Sequence, residues 1–228
     1  MALKKIDQIG QSSQSLIKGD LKVSCACAHG RNHLAPLLAK FLERHPAVSV
    51  NLQLENRVVN LLTEQFDLAI RFGDLPDSRL IARKIGELSG ILCASPEYLV
   101  NAPPLNTPSD LLKHCCLMYK SADHTINSWL FTGAGGEERV TVSGQLSIND
   151  PSALISAAVA DGGVLLTQKI LLGDELSEGK LVPVLNEYKL AIRKPVYIVY
   201  PEAEFLPAKT RALVDFLAQE IPAIIEGT

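Results

Sequence analysis

No apolar run in this chain approaches the ~18 residues that a membrane-spanning helix requires. The opening stretch, MALKKIDQIGQSSQSLIKGD, has neither the apolar core nor the small-residue cleavage site of a secretory leader. Together these absences predict a cytoplasmic protein with no membrane partner. Basic residues never cluster beyond pairs, at Lys4-Lys5, Arg83-Lys84 and Arg193-Lys194, and the formal net charge is −3. A basic face for nucleic acid is therefore missing, and so is the basic amphipathic stretch of a membrane-surface helix. There is no C-x-x-C among the cysteines, which number 5 and stand at Cys25, Cys27, Cys93, Cys115 and Cys116. An odd count of thiols in a reducing compartment reads as small hydrophobes rather than a disulfide framework. Catalytic motifs are also lacking: no G-x-S-x-G, no Walker A loop and no G-x-G-x-x-G occur. The glycine-rich GAGGEE at 133–138 precedes a strand instead of a helix, so it reads as a hairpin turn. Neither an enzyme nor a cofactor is expected.

What is present is ample core material, with 47% hydrophobic and 21% charged residues over 228 positions. That length accommodates one large or two small domains. The most provocative stretch is SCACAHGRNHLAPLLAKFLERHP, where Cys25, Cys27, His29 and His33 crowd together. Structural zinc sites pair C-x₂₋₄-C hairpins with H-x₃₋₅-H on a helix. The histidine spacing satisfies that rule and the C-x-C spacing does not, so no metal is expected. Cys25 and Cys27 are read instead as one face of a buried strand.

Along the chain, Leu21 to Ala28 reads as a strand. A helix follows from about Asn32 to His45, with Leu34, Leu37, Leu38, Phe41 and Leu42 on one face and Pro46 as its stop. VSVNLQLE alternates as a strand, NRVVNLLTEQ reads as a second helix, and DLAIRFG as a short buried strand ending at Gly73. This β-α-β-α-β order implies a parallel sheet with right-handed crossovers. The pattern then restarts. GILCAS is a strand, Ser95-Pro96-Glu97 and Thr107-Pro108-Ser109-Asp110 are helix starts, and CCLMY is strand-like. RVTVSGQLSI alternates. NDPSALISAAVADGG is a helix capped by Asp150 and closed by Gly162-Gly163. VLLT is a strand with a helix after it to about Leu176, KPVYIVYP is a strand, and PAKTRALVDFLAQEI is the last helix. Two α/β units emerge, with the segments around Leu92–Ser95 and Val196–Tyr200 as natural crossings between them. Ligands of such folds sit at strand carboxyl ends and helix N-termini.

The segments GDLKVS, HLAPLLAKFLERHPAVSVNL, FDLAIRFGDLPDSRLIARKIG, CASPEYL, PSDLLKHCCL, INDPSALISAAVADGGVLL, LSEGKLVPVL and PVYIVYP, in this order and spacing, resemble the effector-binding domain of LysR-type transcriptional regulators. The resemblance covers nearly everything from Leu21 onward. It implies an α/β, two-lobed, periplasmic-binding-protein-like fold, each lobe a mixed, mostly parallel sheet with helices on both faces. Lobe I would comprise 21–94 plus 201–228 and lobe II 95–200, with 1–20 a remnant of the family's linker helix. It further implies a small-molecule effector, often an organic acid, in the interlobe cleft, and assembly as a homodimer or tetramer. DNA would be contacted only through an N-terminal winged helix-turn-helix that this chain lacks. A transport solute-binding protein of the same fold is the competing reading.

The resemblance also marks a first contact loop, where the family commonly offers a Ser or Thr to an effector carboxylate. Here the matching positions are Ala28 and His29, so the hydroxyl is absent, and His29 is either a substitute donor or pH-sensitive cation, or a turn residue at the rim. His33 is expected to cap or pack at the start of a helix resembling the family's dimer-interface helix. Asn56, at the end of the second strand, and Arg71 and Gly73, at the end of the third, fall where the cleft would be. Arg71 suits a bidentate carboxylate, or an ion pair with Asp74 or Asp77. Asn149 and Asp150 open the second lobe's helix, with Asp150 as its cap, and Thr167 lines the cleft from a strand end. Trp129 and Phe131 are read as a cleft cover or as core.

Overall fold

Leu21, Val23 and Cys25 are buried along β1 (Gly19–Cys25), which gives the first strand its inner face. The computed structural model describes residues 17–75, 78–122, 125–190, 193–202 and 206–227, so most of the expected linker-helix remnant and Asp77 lie outside it. The strand stops three residues earlier than the sequence suggests. Ala26 is extended, and helix begins at once in α1 (Cys27–His29), passes through a π-helical turn (Gly30–Leu34) and continues as α2 (Ala35–Arg44). Cys27 is therefore a helix residue, not the strand-face partner of Cys25. The wide turn has a local cause. Pro36 carries no N–H for the regular ladder, and the Ala35 N–H reaches back to the Gly30 carbonyl. Gly30 also lies so close to Leu54 that any Cβ there would collide with it.

β2 (Val48–Leu54) and β3 (Leu68–Phe72) flank β1 in parallel register, as the βαβ reading requires. The helix expected over NRVVNLLTEQ is absent: 57–66 is irregular, folding Val59, Leu61 and Phe66 against Ala69 and Val199. β4 (Leu80–Ala94) is much longer than GILCAS announced. After it come α3 (Pro96–Asn101), with Ser95 as cap, and a 3₁₀ turn (Pro108–Lys113) closed by a Thr107–Asp110 capping box. Next are β5 (Cys116–Lys120), β6 (Thr125–Ile126), and the hairpin of β7 (Ser128–Gly133) with β8 (Gly136–Thr141), whose turn is the GAGG expected there. β9 (Ser147–Ile148), α4 (Pro151–Val159) and β10 (Val164–Gln168) follow. The helix expected after β10 is only a 3₁₀ turn (Lys169–Leu171), with Ile170, Leu171 and Leu172 all buried. β11 (Val182–Pro183), β12 (Lys189–Leu190), β13 (Arg193–Pro201) and α5 (Ala208–Glu226) complete the chain.

Strand order is β2-β1-β3-β13-β4-β10-β5-β6, beside a separate antiparallel β12-β7-β8 sheet. β4 explains the two lobes. Its residues Leu80 to Ser89 pair with β13 in the first lobe, and Gly90 to Cys93 pair with β10 in the second. α2 and α5 cover the first lobe's sheet, burying Phe41, Leu213 and Leu217. Trp129 and Phe131, 2% and 1% exposed, are core of the second lobe and cover no cleft.

Candidate functional site

The helix that starts at Cys27 opens at the end of the first lobe, and α4 opens in the second. One side chain joins them. Asn56, just beyond β2, accepts a hydrogen bond from the Cys27 N–H at 3.1 Å through Oδ1 and donates from Nδ2 to the Asn149 carbonyl at 3.0 Å. Asn149 directly precedes Asp150, whose carboxylate caps α4 by accepting from the Ala153 N–H at 2.9 Å. Asn56, Asn149 and Asp150 are thus brought together around Cys27, and Tyr119 belongs with them. Burial, with Asp150 and Cys27 nearby, raises its hydroxyl above the ordinary tyrosine range.

Ala28 is 2% exposed and offers no polar atom, so whatever the cleft supplies here comes from backbone. His29 is 8% exposed and therefore no rim residue. Its ring stacks on Phe72, with centroids 4.0 Å apart and planes at 22°, and lies 6.3 Å from His33. Burial drives its pKa down to about 3; His33 and Lys194 push the same way, and the Gln168 side chain opposes them. His29 is accordingly neutral near pH 7. His33 Nε2 meets the Ile170 carbonyl at 3.0 Å, which makes it a packing residue that touches the segment after β10. Burial lowers its pKa, and the Ile170 carbonyl partly restores it.

Arg71 pairs in register with Tyr197 and donates from one guanidinium nitrogen to the Val59 carbonyl at 2.6 Å. Among the described residues it makes no ion pair, Asp74 included, and burial lowers its pKa. It is a partly desolvated cation available to an anion from solution. Gly73 shapes the backbone: its φ of +89° favours glycine, and its N–H bonds the Pro195 carbonyl at 2.9 Å. Thr167 is 9% exposed within β10; its neighbour Gln168, rather than Thr167 itself, reaches the histidine cluster.

The sequence reading missed Tyr119, Phe72 and Gln168 as neighbours of the site, and it placed Cys27 on a strand face rather than at the helix start. The strand-end position of Gln168 was the one available signal. No group of three or more His, Cys, Asp or Glu among the described residues is placed to hold a metal. An apolar cavity of about 30 Å³, lined by residues including Cys25, His29, His33, Leu37 and Ile170, has room for water but not for an organic effector.

The family described as LysR substrate binding domain matches residues 14–222. An uncharacterized HTH-type transcriptional regulator of Haemophilus influenzae is 32% identical over 199 residues, which cover 87% of this chain and 68% of the relative. The HTH-type transcriptional activator TtdR of Escherichia coli is 32% identical over 201 residues, and the match spans only 64% of its length. Among solved structures, the regulatory domain of CrgA, a LysR-type transcriptional regulator from Neisseria meningitidis, superposes with a TM-score of 0.80 at 30% identity, covering 89% of this chain and 98% of that one. Full-length AphB, the Vibrio cholerae virulence activator, gives 0.80 at 26% identity over 95% of this chain and 73% of that one. No helix among the described residues is long and apolar enough to cross a membrane. By sequence and by fold, the chain belongs to the LysR substrate-binding-domain family of transcriptional regulators.

Proposed function

We propose that this chain is the effector-sensing and oligomerisation domain of a LysR-family regulator. It takes a small metabolite, a carboxylate or an aromatic acid, between the two lobes, with β13 and the Leu80–Ser89 half of β4 in the first rather than β13 in the second. A separate helix-turn-helix domain contacts DNA, in keeping with relatives that are HTH-type regulators longer than this chain. The working form is a homodimer or tetramer in the cytoplasm.

The observation that carries the reading is Asn56, one carboxamide bonded to the first helix of one lobe and to the residue before α4 of the other. A ligand with a carboxylate or amide satisfies the same donors and acceptors. It shifts the lobe equilibrium to the extent that it binds the closed form better. Alongside it, Ala28, His29, Arg71, Gly73, Asp150 and Thr167 form the rest of the proposed site, with Arg71 as the cation for an acid group.

The test is thermal denaturation against a panel of short mono- and dicarboxylates and benzoate derivatives. At least one member is expected to raise Tm by mass action. Asn56→Ala and Arg71→Gln are each expected to weaken that member's affinity about tenfold, the worth of one hydrogen bond or charge-assisted contact. A panel without a hit, or a hit indifferent to both substitutions, overturns this assignment.

A further inference from the structure

We propose that His29 and His33 form a proton-sensitive lock between the lobes, one that holds them together only while both rings are neutral. The two imidazoles are one helical turn apart on the first lobe's leading helix; His33 bonds second-lobe backbone, and His29 lies beside a second-lobe side chain. His33 bonds the Ile170 carbonyl at 3.0 Å. His29, sandwiched against Phe72, faces Gln168 at the end of β10. Gln168 and Ile170 belong to the strand and turn where β10 leaves its pairing with β4 at Gly90, the point at which β4 passes from one lobe to the other.

The surroundings favour the uncharged pair. From β13 comes the Lys194 ammonium, itself partly buried and held below the usual lysine range by desolvation. From β1 comes the Cys25 thiol, whose pKa burial pushes up to about 12, so it supplies no negative charge. β4 and α5 add apolar side chains such as Leu88, Ile221 and Ile225. Gln168 is the one neighbour that welcomes a proton on His29; its Oε1 is buried without a partner among the described residues. Arg31, on the same helix, is exposed. No carboxylate is among the groups acting on either ring.

A proton added to this cluster must therefore stay beside His33 and Lys194 in a desolvated site, or the contact must part and let water in. Parting frees the rings toward the ordinary histidine value of 6.5. For one such imidazole, each pH unit below that value lowers the closed-to-open ratio about tenfold. The lock rests on the lobe contact alone and needs no effector, so it stands or falls apart from the assignment above.

The test is small-angle X-ray scattering of the ligand-free chain from about pH 8 to about pH 5, the range in which histidine titrates. Ring titration is followed in parallel by imidazole NMR. The radius of gyration is expected to rise as pH falls, in step with His29. The change is expected to vanish in His29→Phe/His33→Gln, which keeps the stack on Phe72 and a donor for Ile170. A constant radius in the unsubstituted chain overturns the proposal, as does an equal rise in the double variant. Should the double variant not fold, His33→Gln alone must reduce the rise, and an undiminished one overturns it equally.

Discussion

Three of the thiols are sealed by the packing around them. Cys25, Cys93 and Cys116 are 2%, 0% and 0% exposed, and burial pushes each pKa up to about 12. Alkylation requires the thiolate and access to it, and these sites offer neither at neutral pH. Cys27 and Cys115 are only partly covered. Brief iodoacetamide treatment of the native chain, read by peptide mass mapping, is expected to modify Cys27 and Cys115 and spare the other three. Labelling of Cys25 at a rate equal to Cys27 would contradict the local structure. The contrast between these two was not legible in SCAC, which alternates as a strand does. What separates them is the break at Ala26, fixed by the Gly30 N–H returning 2.8 Å to the Ala26 carbonyl, a contact no side-chain pattern announces.

Among the elements, α4 shows what sequence conveys well. Asp150 and Pro151 mark its start, and the structure places the Asp150 carboxylate on the Ala153 N–H; the end comes at Val159, before Gly162-Gly163, with Asp161 in the left-handed turn at a φ of 63°. Asp150→Ala is expected to lower stability by about 1 kcal/mol, the usual worth of an N-cap, measured by urea denaturation. Asp150→Asn should retain most of it; equal losses in both would deny the cap its role. The segment after β2 shows the reverse. Val58, Val59, Leu61 and Leu62 suggest one helical face, yet Val58 is 78% and Leu62 60% exposed. Local polar bonds outcompete the helix there. The Asn60 side chain accepts from the Leu62 and Thr63 N–H groups, and Glu64 binds both Arg57 and the Asn60 N–H. Gln65 closes the turn with a φ of 56°. β4 was half visible for a related reason: the charged, exposed residues around Arg83 and Lys84 hide a strand whose pairing with β13 is settled only in three dimensions.

For the molecule as a whole, the decisive feature is that no linker divides the lobes. β4 belongs to both, pairing with β13 along one half and with β10 and β11 along the other. The first lobe cannot lose its sheet without stripping hydrogen bonds from the strand that the second lobe needs. One core cluster likewise runs from Phe41 and Leu217 in the first lobe to Leu154 and Leu165 in the second. Cooperative unfolding is the consequence, since neither half keeps a complete core alone. Trp129, the single tryptophan, is buried in the second lobe and reports its packing, whereas far-ultraviolet circular dichroism weighs α2 and α5 of the first. Urea curves from the two probes are therefore expected to coincide in midpoint. A tryptophan transition clearly ahead of the dichroism would mean that the second lobe melts by itself. Coincidence would place lobe motion within the folded state, where a shared strand bends rather than breaks, and that is the motion on which both the proposed effector response and the histidine lock depend.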